Sequence, residues 1–78
     1  MTEALLLGIA RVAAGALTAG TVESLHVDRG RLIVVFRGPW NTYELHLLAL
    51  ALRRQIDPTV TTIRIEDERG DPLLEETF

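Results

Sequence analysis

Cysteine is absent from this sequence of 78 residues, and so is lysine. Without a thiol the chain forms no disulfide, zinc ribbon or iron–sulfur cluster, and it has no cysteine nucleophile. All eight basic side chains are arginine. Arginine codons are GC-rich and lysine codons AT-rich, so genomic base composition is the simplest interpretation, and we draw no function from the missing lysine.

Serine is nearly absent as well, which restricts nucleophilic catalysis. Ser24, the only serine, precedes His26 and Asp28 in an alternating stretch, and such a row superficially resembles a catalytic triad. However, residues two apart along a strand lie roughly 7 Å from each other, beyond hydrogen-bond reach. We therefore expect a polar strand face and assign no catalytic residue.

The longest apolar stretch, Leu5–Leu17, lacks the features of a signal peptide or a membrane span. Glu3 stands where a signal peptide needs positive charge, and Arg11 divides the stretch into two short segments. Each segment is far shorter than the roughly 20 residues that cross a bilayer. We expect a cytoplasmic protein that is not inserted in a membrane.

The length predicts one domain, spanning residues 1–78, with a small core. A chain of this size buries only about 60% of the surface that its unfolded form exposes. Small domains compensate with disulfides, metals or association. Because cysteine is absent and the apolar share is 47%, association is the expected stabiliser.

Periodicity in the first half predicts a helix followed by a hairpin. Residues 3–19 are rich in alanine and leucine and contain no proline, and Gly20 follows as a helix stop. Alternation over 22–28 predicts a strand. A glycine-containing turn over 28–31 then leads to the β-branched strand Leu32–Phe36.

The second half predicts the same order of elements. Asn41 is a helix N-cap with Glu44 as its capping-box partner, and Trp40 with Leu45 forms a hydrophobic staple. The helix is expected to end near Ile56, before Asp57 and Pro58. A strand over 61–66 and a turn over 67–71 follow, and 72–78 is a candidate edge strand.

The predicted fold is therefore α+β, in the order α-β-β-α-β-β, with an antiparallel sheet of three or four strands and two helices on one face. Shifting the chain by 40 residues superposes Leu5 on Leu45, Leu25 on Ile65 and Gly30 on Gly70. This suggests an internal pseudo-repeat of 1–38 and 41–78. Coincidence between two leucine-rich units is the alternative.

No motif predicts a metal or another cofactor. His26 and His46 each have carboxylate neighbours, but the pairs do not supply the three or four convergent ligands of a zinc site. The acidic stretch over 66–71 lacks the alternating ligand spacing of an EF-hand loop. We predict a solvated turn there.

Basic residues on the predicted hairpin suggest nucleic-acid binding as a secondary hypothesis. Arg29, Arg31 and Arg37 flank this hairpin and are the candidate contacts. The net charge of -3 argues against it, as does the lack of a glycine-rich loop or a paired aromatic platform. We therefore expect no nucleic-acid partner.

Apolar residues exceed what one small core needs, which favours self-association. Both helices are apolar around most of their circumference, and the central strand is apolar on both faces. Surplus apolar surface of this kind marks interfaces. The candidate interface residues are Ile33, Val35, Trp40, Leu47 and Leu50.

The leading hypothesis is thus a homo-oligomeric protein–protein interaction module, most simply a homodimer, whose biological role the sequence does not specify. An unidentified protein partner is the alternative occupant. A ligand-binding or enzymatic site between protomers, near His26, Trp40, Tyr43 and His46, is a third hypothesis, and we expect no enzyme.

Overall fold

The computed structural model describes residues 2–78 and has the predicted order of elements. They are α1 (Glu3–Leu17), β1 (Thr21–Asp28), β2 (Arg31–Arg37), α2 (Thr42–Arg53), β3 (Thr62–Glu66) and β4 (Pro72–Thr77). Both helices pack on one face of a four-stranded sheet. The fold is therefore α+β, and Pro72–Thr77 in the C-terminal tail forms the fourth strand at an edge.

Helix α1 ends two residues earlier than the prediction of Ala19. The Thr18 amide and hydroxyl both donate to the Ala14 carbonyl, at 2.8 and 2.7 Å, and close the last turn. Gly20 is needed for a different reason from helix termination. A Cβ there would lie 2.5 Å from the Phe36 ring and from the Arg37 carbonyl oxygen, so only glycine allows this close approach.

The β1–β2 hairpin has the turn that its sequence predicts. Arg29 and Gly30 both have positive φ, at 52° and 77°, as a type I′ turn requires. The pairing of β1 with β2 is antiparallel, with a bulge between Val22 and Ser24. The Gly30 carbonyl also accepts from the Thr61 amide at 2.8 Å, which joins the turn to the start of β3.

Helix α2 begins as predicted at the Asn41 cap, whose side chain accepts from the Glu44 amide at 2.9 Å. The helix ends at Arg53, three residues before the predicted Ile56, and a turn follows. Ile56 still packs against the core. Four residues of α2 are buried in the core: Leu45, Leu48, Ala49 and Leu52.

The prediction of a purely antiparallel sheet was wrong, because β2 and β3 are parallel. The strand order is β1-β2-β3-β4, and Arg31 at the start of β2 lies beside Thr62 at the start of β3. Helix α2 carries the chain back along the sheet, so β3 must run in the direction of β2. The outer pairs, β1–β2 and β3–β4, are antiparallel.

The core lies between the helices and the sheet. Alternate residues of the two central strands point into it, among them Leu32, Val34 and Phe36 from β2 and Ile63 and Ile65 from β3. Within residues 2–78, no helix has the length and apolar character required to cross a membrane.

Candidate functional site

Ile33 and Val35, two of the candidate interface residues, lie on the face of the sheet that the helices leave open. Ile33 is only 9% exposed, and Val35 is half-buried. Arg64 pairs with Ile33 across the parallel ladder, and Glu66 pairs with Val35. This face of the sheet therefore presents little apolar surface.

Arg64 organises the open face through ion pairs. Its Nε donates to a Glu66 carboxylate oxygen at 2.9 Å, and its guanidinium lies 3.4 Å from Glu75 on β4. The hydrogen bond to Glu66 is the main cause that raises the pKa of Arg64, and the negative charges of Glu66 and Glu75 act in the same direction against desolvation. The network gives this face of the sheet a charged surface.

The three nucleic-acid candidates do not form an unopposed basic patch. Arg37 lies 3.7 Å from Glu23 and 3.9 Å from Glu68, so acidic groups share its surroundings. Arg29 and Arg31 are exposed at the hairpin turn, at the opposite end of β2 from Arg37. The arrangement lacks the continuous positive surface that phosphate recognition uses.

The proposed protomer-interface site does not converge within one chain. His26 is on the open face of the sheet, where it pairs with Ile33. His46 is on α2, on the opposite side of the sheet, and its Nδ1 contacts the Glu76 carboxylate on β4. Tyr43 and Trp40 are exposed at the start of α2, so the four residues do not share one pocket.

The acidic turn is built by its own hydrogen bonds. The Asp67 carboxylate accepts from the Arg69 amide at 2.8 Å and from the Asp71 amide at 3.0 Å. Over residues 2–78 the structure has no group of three acidic or histidine side chains arranged to hold a metal ion.

A continuous exposed apolar surface lies on α1. We define the α1 outer face by the residues that line it: Ala4, Leu5, Gly8, Ile9, Val12, Ala13, Ala16 and Leu17. Leu5 is 57% exposed and Val12 is 76% exposed. Every member of this face is apolar, so it offers a partner packing contacts and no charged group.

The opposite side of α1 explains why this face is left outside. Leu6, Ala10 and Ala14 are the buried residues of α1, and two of them are alanine. Small side chains let this side of the helix lie close to its neighbours. The larger residues of the α1 outer face point away from the core. Sequence periodicity did not identify the buried side of α1, because the buried side and the α1 outer face are both apolar. The alanines of the buried side were the feature of the sequence that could have identified it.

Helix α2 contributes less to the outer surface. Leu50 is 46% exposed, and Leu47 is half-buried on the same helix. Trp40, which precedes the helix, is 45% exposed. These three sequence candidates are accessible to a partner, but they do not form a continuous stripe like that of α1.

Arg11 marks the border between α1 and the edge of the sheet. Its Nε donates to the Val22 carbonyl at 3.3 Å, and its Nη2 donates to the Glu23 carbonyl at 3.2 Å. Both acceptors are at the bulge of β1. The guanidinium therefore occupies backbone acceptors on a strand that is paired on one side only.

Comparisons with protein-family models, with curated proteins and with solved structures find no match to this chain.

Proposed function

We propose that this protein is a small homo-oligomeric interaction module, in the first instance a dimer, which associates through the α1 outer face. The observation that carries the proposal is the exposure of Leu5 and Val12 on a face without charge. Contiguous exposed apolar surfaces are a feature of interfaces. A cytoplasmic location belongs to the same proposal.

The edges of the sheet support this choice of surface over strand pairing. On β1 the bulge and the Arg11 guanidinium interfere with the backbone groups that an added strand would use. On β4 the strand begins with Pro72 and carries Glu75 and Glu76. Bulges, proline and charge are the usual means of preventing edge-to-edge association.

The composition of α1 favours a protein partner over a membrane surface. Helices that lie on membranes carry several basic residues on their polar face. Helix α1 has one arginine, and Arg11 is hydrogen-bonded to β1. A second copy of the chain supplies the same uncharged surface in the same solution, and symmetric dimers are the commonest oligomers.

The test is sedimentation equilibrium of the wild-type chain and of two matched variants at micromolar concentration. We expect a dimer for the wild type, a monomer near 8.7 kDa for Val12→Glu, and a dimer for Val35→Glu. Val12 is largely exposed, so its replacement leaves the fold intact, which circular dichroism verifies. A monomeric wild type overturns the proposal.

The Val35→Glu arm distinguishes the α1 outer face from the open face of the sheet. Dissociation by Val35→Glu with no effect of Val12→Glu would assign the interface to Ile33 and Val35, as the sequence alone suggested. Because Val35 is half-buried, the urea midpoint of the folded monomer is measured alongside, so that unfolding is not mistaken for dissociation.

A further inference from the structure

The α1 outer face has the spacing of a two-helix seam. Leu5, Ile9, Val12 and Ala16 are separated by four, three and four residues, which is the alternation of the a and d positions of a heptad. All four lie on the exposed side of a continuous helix. A helix of the same kind can therefore pack along the whole seam.

The sizes of the seam residues change from one end to the other. Leucine occupies the N-terminal end, alanine occupies the C-terminal end, and two β-branched residues lie between them. In an antiparallel pair, Leu5 meets the partner's Ala16 and Ile9 meets the partner's Val12. In a parallel pair, Ala16 would meet the partner's Ala16 and leave that layer underfilled, which costs packing.

Packing within the described chain does not require the two glycines on the flank of the seam, Gly8 and Gly15. A Cβ added to Gly8 or Gly15 would meet nothing within 4 Å, and glycine inside a helix destabilises it relative to alanine. The two residues are one heptad apart and thus lie on the same flank. In the antiparallel arrangement Gly8 lies beside the partner's Gly15, so the two backbones can approach closely.

Charge also favours the antiparallel arrangement. Antiparallel helices place the positive end of one dipole beside the negative end of the other. A parallel pair would bring two like dipole ends together.

We infer that two copies of this chain pair through α1 in antiparallel orientation. The two-fold axis crosses the seam at the height along the helix that lies midway between Ala10 and Arg11. The inference rests on the proposed homo-oligomeric function and adds the orientation and register of the pair. The occupant of the α1 outer face is then the same face of the second copy.

Cysteine cross-linking tests the orientation without background, because the chain has no cysteine. We prepare Leu5→Cys and Ala16→Cys, one of them carrying a mass tag, and oxidise each alone and as an equimolar mixture. The antiparallel pair predicts a covalent heterodimer in the mixture, at a yield at least fivefold above that of either variant alone. Disulfide formation needs Cα atoms within about 7 Å. Thr59→Cys, at an exposed loop position outside α1, controls for random collision.

The outcomes distinguish failure of the antiparallel pairing from failure of the proposed self-association. The antiparallel orientation is overturned if Leu5→Cys cross-links to itself and the mixture contains no covalent heterodimer of the two variants. If the wild type and both cysteine variants sediment as dimers and no cross-link exceeds the Thr59→Cys control, the inference fails while self-association stands. If the wild type sediments as a monomer, the proposed function fails first.

Discussion

The two helices of this protein occupy the same layer but are held in different ways. In α2, four apolar residues are buried, among them the three leucines Leu45, Leu48 and Leu52. In α1, a single leucine is buried together with two alanines, while Leu5 and Val12 are exposed. The comparison shows that an apolar helix can contribute few large side chains to its own core and keep the rest for another surface.

Their contacts beyond the core differ as well. On α2, His46 contacts Glu76, and the Arg53 guanidinium lies 4.4 Å from the centre of the Phe78 ring. Both contacts tie α2 to the C-terminal strand region. The polar attachment of α1 is the pair of hydrogen bonds from Arg11 to β1. We therefore expect local opening to begin at α1.

The largest difference is expected from leucines that the 40-residue shift superposes. Leu45→Ala removes a fully buried side chain and should lower the free energy of unfolding by about 2–5 kcal/mol. Leu5→Ala, at an exposed position, should change it by about 0.5 kcal/mol or less. Urea denaturation at a concentration low enough to keep the chain monomeric measures both. Equal losses would mean that the two helices are held alike.

Removing the polar attachment of α1 is expected to have a smaller effect. Arg11→Leu deletes two hydrogen bonds from a charged donor and should cost about 1.5 kcal/mol, since the site is partly solvated. It also frees the carbonyls of β1, so light scattering on prolonged incubation should rise. Arg54→Leu, at the exposed end of α2, is the control and should change neither quantity. An unchanged urea midpoint for Arg11→Leu would contradict the attachment.

The N-caps provide a matched pair of substitutions. Asn41→Ala removes the 2.9 Å bond to the Glu44 amide and should destabilise the chain by about 1 kcal/mol. Thr2→Ala removes a longer, exposed bond, 3.3 Å to the Leu5 amide, so a loss of a few tenths of a kcal/mol is expected. Chemical denaturation of both variants measures the difference. A larger effect at Thr2 would place the more important cap on α1.

Gly8→Ala is expected to have the smallest effect, and to change the stability of the monomer and that of the dimer in opposite directions. Gly8→Ala should stabilise the monomer by about 0.5–1 kcal/mol, because alanine is the better helix former and the added methyl meets no atom in the chain. The same methyl should weaken the dimer by keeping the backbones apart. Urea denaturation at low concentration and sedimentation at high concentration test the two signs. Tighter association would show that the α1 glycines do not face the partner.

The sequence alone determined much of the fold. The leucine spacing of α2, its Asn41 cap, the Gly30 turn and the β-branched strand β2 are local features, and local periodicity and capping specify them. For the same reason the order of elements was predictable through to β4. The ends of the helices were less predictable. Helix α1 ends at Leu17 because the Thr18 side chain donates to the Ala14 carbonyl, and composition does not reveal this cap.

Only the tertiary structure decided the direction of β3 and the buried side of α1. Strand direction depends on where α2 returns the chain, so the parallel pairing of Arg31 with Thr62 is a non-local outcome. Both stripes of α1 are apolar, so hydropathy does not distinguish them. Packing does, because Ala10 and Ala14 allow the helix to lie close to its neighbours, and Leu5 and Val12 are thereby turned toward solvent.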